Sequence, residues 1–173
     1  DARHFTDFEE MIASGVADAV IVATPHPSHR PVGVAALEAG LHLLVDKPIA
    51  SHKADAAKLA AADGGSRVFA AVFQMRLDPR YIALRRLIQS GELGPIQRIQ
   101  WTITDWFRSD AYYASGTWRA TWKGEGGGVL LNQCPHQLDL WQWLFGMPAR
   151  LRAFCYEGKY HDIEVEDDVT ALM

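Results

Sequence analysis

The chain has 173 residues, about half of them hydrophobic and about a fifth charged, with a formal net charge of -4; this is enough to bury a core in one domain or two small ones. The acidic excess offers nucleic acid or an anionic membrane no electrostatic hold, so neither is expected as a partner. Two cysteines, Cys134 and Cys155, are too few for a disulfide framework, and no apolar run is long enough to cross a bilayer, so a reducing, cytoplasmic setting is expected.

The pattern predicts a short amphipathic helix over Phe5 to Ser14, with Thr6 or Asp7 as N-cap and Gly15 as its stop. "DAVIVATP", Asp18 to Pro25, is a Val/Ile run between turn residues and predicts a buried parallel strand. A helix over Pro31 to Ala39 follows, closed by Gly40. "HLLVDKP", His42 to Pro48, predicts a second buried strand. An Ala/Lys-rich helix over Ser51 to Ala62 has Ser51 as its expected N-cap. "RVFAAVFQ", Arg67 to Gln74, predicts a third strand, and Pro79 to Ser90 a helix with proline in its first turn. Strands alternating with helices build parallel βαβ units and a doubly wound α/β sheet.

After "GELGP", Gly91 to Pro95, the pattern changes, and a domain boundary is placed near Gly94, giving domains 1–94 and 95–173. "IQRIQWTITDWF", Ile96 to Phe107, alternates and predicts an antiparallel strand with one covered face. Arg108 to Glu125 reads as a loop. The glycines 126–128 precede a tryptophan-rich helix that runs to about Phe145. Strands are expected over Ala149 to Tyr156 and Glu166 to Met173, so the second domain reads as α+β with a mostly antiparallel sheet.

Ligands of open α/β sheets bind beyond the carboxyl ends of the strands. Three strand ends here carry polar groups: "ATPHPSH" (Thr24, Pro25, His26, His29), "DKP" (Asp46, Lys47, Pro48) and "FQMR" (Gln74, Arg76). Lys47 has two readings. It is either a solvated cation paired with Asp46, or a lysine partly desolvated in the cleft that stabilises an alkoxide or loses its proton. Asn132 and His136 are one helical turn apart. Asn132 suits an N-cap before Pro135, with His136 a packed core histidine. Alternatively both present polar groups to a site whose approach the preceding glycines open. Asp139 is expected to be structural, bonding backbone or an arginine. His26, His29, His136 and Cys134 lack the CxxC or HExxH spacing of a metal site, and no metal is expected.

At these residues the chain resembles the Gfo/Idh/MocA family of nicotinamide-dependent sugar and cyclitol oxidoreductases. "DAVIVATPHPSH" is similar to the family's ATP-x-x-x-H strand and turn, and "AALEAGLHLLVDKPIA" to its EKP segment, with Asp46 where Glu is usual. "FQMRLDP" and "GTWRATWKGEGGGVLLNQCPHQLDLWQWLFG" resemble its arginine segment, its loop, its glycine triplet and its active-site helix. The resemblance implies that Lys47 is the catalytic lysine and His136 the acid/base. Asn132 stands where many members have Asp; an asparagine can hold a substrate hydroxyl but does not tune the histidine by charge. Thr24, Pro25, His29, Lys47, Pro48, Arg76, Trp118 and Arg119 fall where family members line the nicotinamide end of NAD or NADP.

The resemblance further implies a preceding strand, G-x-G-x-x-G turn and helix, and more C-terminal strands, none of them in this sequence. The chain thus reads as the middle of a longer enzyme, a partial Rossmann domain followed by the α+β domain, and is expected to be inactive alone. The expected activity is hydride transfer between nicotinamide and a secondary alcohol of a sugar, sugar derivative or cyclitol. A non-catalytic member that binds a sugar or a partner protein is the alternative. A homo-oligomer, dimer or tetramer, is expected through the C-terminal sheet.

Overall fold

The structure is a computed structural model that describes every residue except Asp1, Asp105 and Trp106. Helix α1, Phe8–Ala13, begins at Asp7, whose carboxylate accepts from the amides of Glu9 and Glu10. That bond selects Asp7 over Thr6 as the cap. Strand β1 (Ala19–Val22), helix α2 (His29–Glu38), strand β2 (His42–Val45), helix α3 (Lys53–Ala62) and strand β3 (Phe69–Ala71) follow, and the strands pair in parallel in the order β1-β2-β3. This is a Rossmann-like α/β unit.

The core is Val20 and Val22 of β1, Leu43 and Val45 of β2, Val32, Ala36 and Leu37 of α2, and Leu59 of α3. Each large side chain among them contributes about 1.5–3 kcal/mol when fully buried. Gly33 lets α2 approach both neighbours: a Cβ there would lie 2.8 Å from Leu59 and 3.1 Å from Leu43. Consecutive right-handed crossovers in one direction put α2 and α3 on the same face of the sheet. The strand expected to be buried is buried on that face alone, because Ile21, on the opposite face, is 72% exposed.

Two caps differ from expectation. Helix α3 starts after His52, not Ser51, with no side-chain cap bond; the Ser51 hydroxyl is instead buried beside Gly126 without a hydrogen-bond partner among the described residues. Helix α2 starts at His29, earlier than expected, because the turn after Pro25 winds directly into it as a 3-10 turn over His26–Ser28.

Helix α4, Pro79–Ser90, is capped by Asp78 and packs against α6, Pro135–Phe145. The predicted strand over Ile96 to Phe107 does not form among the described residues, where no strand pairs with it; its Asp105 and Trp106 lie outside them. Alternation marks a face, but a strand also needs a neighbour for its backbone hydrogen bonds. The short helix α5, Asp110–Ala114, interrupts the expected loop. Strands β4, Arg152–Glu157, and β5, Glu166–Leu172, form an antiparallel pair, as the C-terminal pattern predicts.

Candidate active site

The parallel register aligns the strand ends. Val22 lies opposite Val45, and Val45 opposite Ala71. The residues that follow each strand therefore emerge side by side at the carboxyl edge. A cleft of about 280 Å³ opens there, lined by Thr24, Pro25 and His26 after β1, by Asp46 and Lys47 after β2, and by Trp118 and Asn132 from the second half of the chain.

Lys47 is not paired with Asp46 through its ammonium. The Asp46 carboxylate accepts from the backbone amide of Lys47 at 2.8 Å, while the lysine Nζ donates to the backbone carbonyl of Asn132 at 2.9 Å. Burial lowers the Lys47 pKa below its usual value; Arg108 acts the same way, and Asp46 and Glu125 oppose them. Lys47 is thus a partly desolvated cation anchored on a backbone carbonyl rather than on Asp46.

Asn132 is not an N-cap. Val129–Gln133 winds as a π-turn, in which the Cys134 amide donates to Val129 O at 2.8 Å, and Cys134 takes the cap position ahead of Pro135. A π-turn inserted before a helix re-aims side chains relative to a regular one. The Asn132 amide Nδ2 donates to Glu125 Oε1. Glu125 is 1% exposed, and its Oε2 accepts from the Ala120 amide at 2.7 Å. Burial raises its pKa; the Ala120 amide, Arg119, Asn132 and Lys47 pull it back down. A second buried carboxylate, Glu166 at the start of β5, accepts from the amides of Gly128 and Leu130 at 2.9 and 3.1 Å. The π-turn that carries Asn132 is thus bonded to two buried acids.

His136 sits in the first turn of α6 with its ring edge-to-face on Phe73, 6.2 Å between centroids. Its Nδ1 is buried and has no hydrogen-bond partner among the described residues. Burial lowers its pKa, as does Lys47, against the pull of Asp46 and Asp139. Lys47 and Asp46 thus act electrostatically on His136, although it does not line the cleft as Asn132 does.

The other expected site residues divide into wall and frame. Thr24, Pro25 and Trp118 are wall. His29 is 1% exposed, with Nδ1 2.7 Å from Pro48 O and Nε2 2.8 Å from Thr24 O. It ties the turn after β1 to the cis Lys47–Pro48 turn after β2. Arg76 makes a two-pronged ion pair with Asp139 of α6, at 2.7 and 2.5 Å. Asp139 thus bonds an arginine, as expected. Arg119 donates to the Tyr112 hydroxyl at 2.8 Å, stacks over Trp118, and lines a separate cavity of about 320 Å³. Among the described residues no three His, Cys, Asp or Glu side chains gather as a metal-ligand set. Among those residues no helix is long and apolar enough to cross a membrane.

Glu125 and Glu166 are absent from the sequence-based site. The one local signal for Glu125 is its place beside the glycine triplet; Glu166 is read only as the start of the last strand.

Residues 1–72 match the family model described as an oxidoreductase family with an NAD-binding Rossmann fold, and residues 81–173 match that of the GFO/IDH/MocA C-terminal domain. The chain belongs to the Gfo/Idh/MocA oxidoreductase family. Inositol 2-dehydrogenase of Corynebacterium glutamicum (strain R) is 37% identical over 161 residues, 92% of this chain and 43% of that protein. The uncharacterized oxidoreductase YdgJ of Escherichia coli (strain K12) is 33% identical over 138 residues, 78% of this chain and 38% of that protein. Among solved structures, the WlbA dehydrogenase of Bordetella pertussis in complex with NADH and UDP-GlcNAcA superimposes with a TM-score of 0.87 at 30% identity, covering 98% of this chain and 49% of that one. The chain therefore spans less than half the length of these three relatives.

Proposed function

We propose that this chain carries the catalytic cleft of an NAD-dependent dehydrogenase acting on a secondary alcohol of a sugar, sugar derivative or cyclitol. The observation that carries the proposal is the desolvated ammonium of Lys47, held against the Asn132 carbonyl in a cleft at the carboxyl ends of parallel strands. The cleft fits the nicotinamide end of a dinucleotide: Pro25 and Trp118 supply flat apolar wall for a planar ring, and Thr24 lies beside them. When bound, NAD supplies the hydride acceptor. NAD is favoured as the cofactor by the matched NAD-binding family model and by the NADH in the WlbA structure.

The chain's own residues then have distinct tasks. Lys47 donates a hydrogen bond to the substrate oxygen and stabilises charge as it becomes an alkoxide. His136, whose neutral form is favoured by the burial that lowers its pKa, takes the hydroxyl proton. Asn132 holds a neighbouring substrate hydroxyl. His29 ties together the two turns that carry Thr24 and Lys47, and Arg76 fixes α6 through Asp139. Assembly as a homo-oligomer through the C-terminal sheet is part of the same proposal, supported by the exposed apolar side chains of β4.

The test uses the full-length protein with NAD and a panel of cyclitols, aldoses and nucleotide-linked sugar acids, following NADH formation. Turnover of at least one member is expected. Lys47→Met and His136→Ala should each lower kcat/KM by about 10²-fold or more, the usual scale for such groups. Near-normal turnover in the histidine variant would remove His136 as the base. No turnover on any member, with NAD still bound, would favour a sugar-binding protein instead.

A further inference from the structure

Among the described residues, the Asn132 side chain bonds through its nitrogen alone. Its Nδ2 donates inward to Glu125 Oε1, while the residue itself lines the cleft. We infer that Glu125 is a positioning residue that fixes the Asn132 amide with its oxygen toward the cleft, so that this position selects a substrate hydroxyl as hydrogen-bond donor. The inference rests on the proposed action on hydroxylated substrates.

A carboxylate has acceptor sites and no hydrogen to give, so the amide nitrogen must face it. The oxygen and nitrogen of an amide diverge from Cγ. Holding Nδ2 inward therefore leaves Oδ1 as the atom offered to the cleft. Glu125 itself cannot turn away. It is 1% exposed, and its second oxygen holds the amide of Ala120. Ala120 has a φ of 52°, unusual for a residue with a Cβ, and this bend aims its amide at the carboxylate. Below the pair, the Glu125 carbonyl lies 2.9 Å from His26 Nδ1. The main-chain carbonyl of Asn132 meanwhile carries the Lys47 ammonium. One residue thus sets a cationic donor and a neutral acceptor side by side. A diol fits such a pair, with one oxygen accepting from Lys47 and its neighbour donating to Oδ1.

The test is a reciprocal exchange in the full-length protein. In Glu125→Gln, one amide group must oppose another. The glutamine oxygen is needed by the Ala120 amide, so its nitrogen faces Asn132 and the asparagine must turn its own nitrogen to the cleft. In Asn132→Asp, two carboxylates meet in a buried place and one is forced to hold a proton. In the double variant, the glutamine oxygen accepts from the Ala120 amide and its nitrogen donates to the carboxylate introduced at position 132. An acceptor again faces the cleft, with the net charge unchanged. Each single variant should raise KM by about tenfold, the scale of one buried polar mismatch, with a smaller change in kcat. The double variant should return KM to within about threefold of the parent and regain most of the lost melting temperature. A double variant no better than the worse single, or Glu125→Gln with unchanged KM, overturns the inference. If the parent turns over no substrate, the dehydrogenase proposal fails on its own. The melting temperatures then still decide the pair, since recovery in the double variant supports it and additive loss overturns it.

Discussion

At the residue scale, burial shifts the titration of the proposed catalytic groups, and pH profiles can read those shifts out. Burial lowers His136 from an ordinary 6.5 and Lys47 from an ordinary 10.5. If His136 is the base as proposed, it is neutral above its lowered pKa, so kcat/KM should fall on the acid side only below pH 6.5. It should fall again on the alkaline side, at a pH below 10.5, where Lys47 loses its charge. A profile whose alkaline limb is untouched in Lys47→Arg would remove the lysine from that limb. Stability follows a different sum. His26 and His136 are both lowered, so the unfolded chain binds more protons than the folded one near and below pH 6.5, and their contribution is lost as pH falls. Glu125 is raised from 4.5, so the folded chain binds the extra proton, and its contribution is lost as pH rises from 4.5 through its folded value. Glu125→Gln should remove the second slope and leave the first, as melting temperatures from about pH 4 to about pH 8 will show (a range of this width covers both groups).

At the scale of elements, the π-turn decides what Asn132 does. The residue types are legible in the sequence, but the turn is not. An Asn followed three residues later by proline fits an N-cap equally well, and only long-range partners choose between the two. Glu166 is 38 positions from Gly128 in sequence, and nothing local marks its carboxylate as buried. The same limit applies to Ile96 to Phe107, whose alternation is real but with which no strand pairs among the described residues. The strand ends are legible for the opposite reason: parallel register places Thr24 and Lys47 together once the strands are recognised. Removing the acid by Glu166→Ala leaves the amides of Gly128 and Leu130 without their acceptor, at about 1–3 kcal/mol for each buried group. Denaturant unfolding should show that loss with an unchanged slope. Gly128→Ala should be worse, because its Cβ would fall 1.9 Å from the Glu166 carbonyl oxygen. Gly64→Ala, with nothing within 4 Å, is the control expected to fold normally.

At the scale of the molecule, β4 presents Phe154 and Tyr156 on one face, 55% and 50% exposed, and Leu172 of β5 pairs beside Arg152 on the same ribbon. A two-stranded ribbon is marginal alone in water and gains stability from whatever covers it. With a second copy as the cover, Phe154→Asp and Tyr156→Asp together should shift the full-length protein toward monomer in sedimentation while NAD binding persists. An unchanged oligomer would place the contact elsewhere. The α/β half is legible from its repeated strand and helix pattern. The covering of this ribbon is not, because one exposed apolar face looks alike whatever lies on it.

The anchor of Lys47 has a consequence for divergence. Its ammonium rests on a main-chain oxygen at position 132, and every amino acid supplies one there. The side chain at 132 is therefore released from the duty of placing the cation. Descendants of this protein can exchange that side chain, together with its acid at 125, and meet a different substrate group without relocating the lysine. In the proposed mechanism, substrate preference and placement of the cation fall to two different atoms of one residue, so a lineage could retune the first while inheriting the second intact.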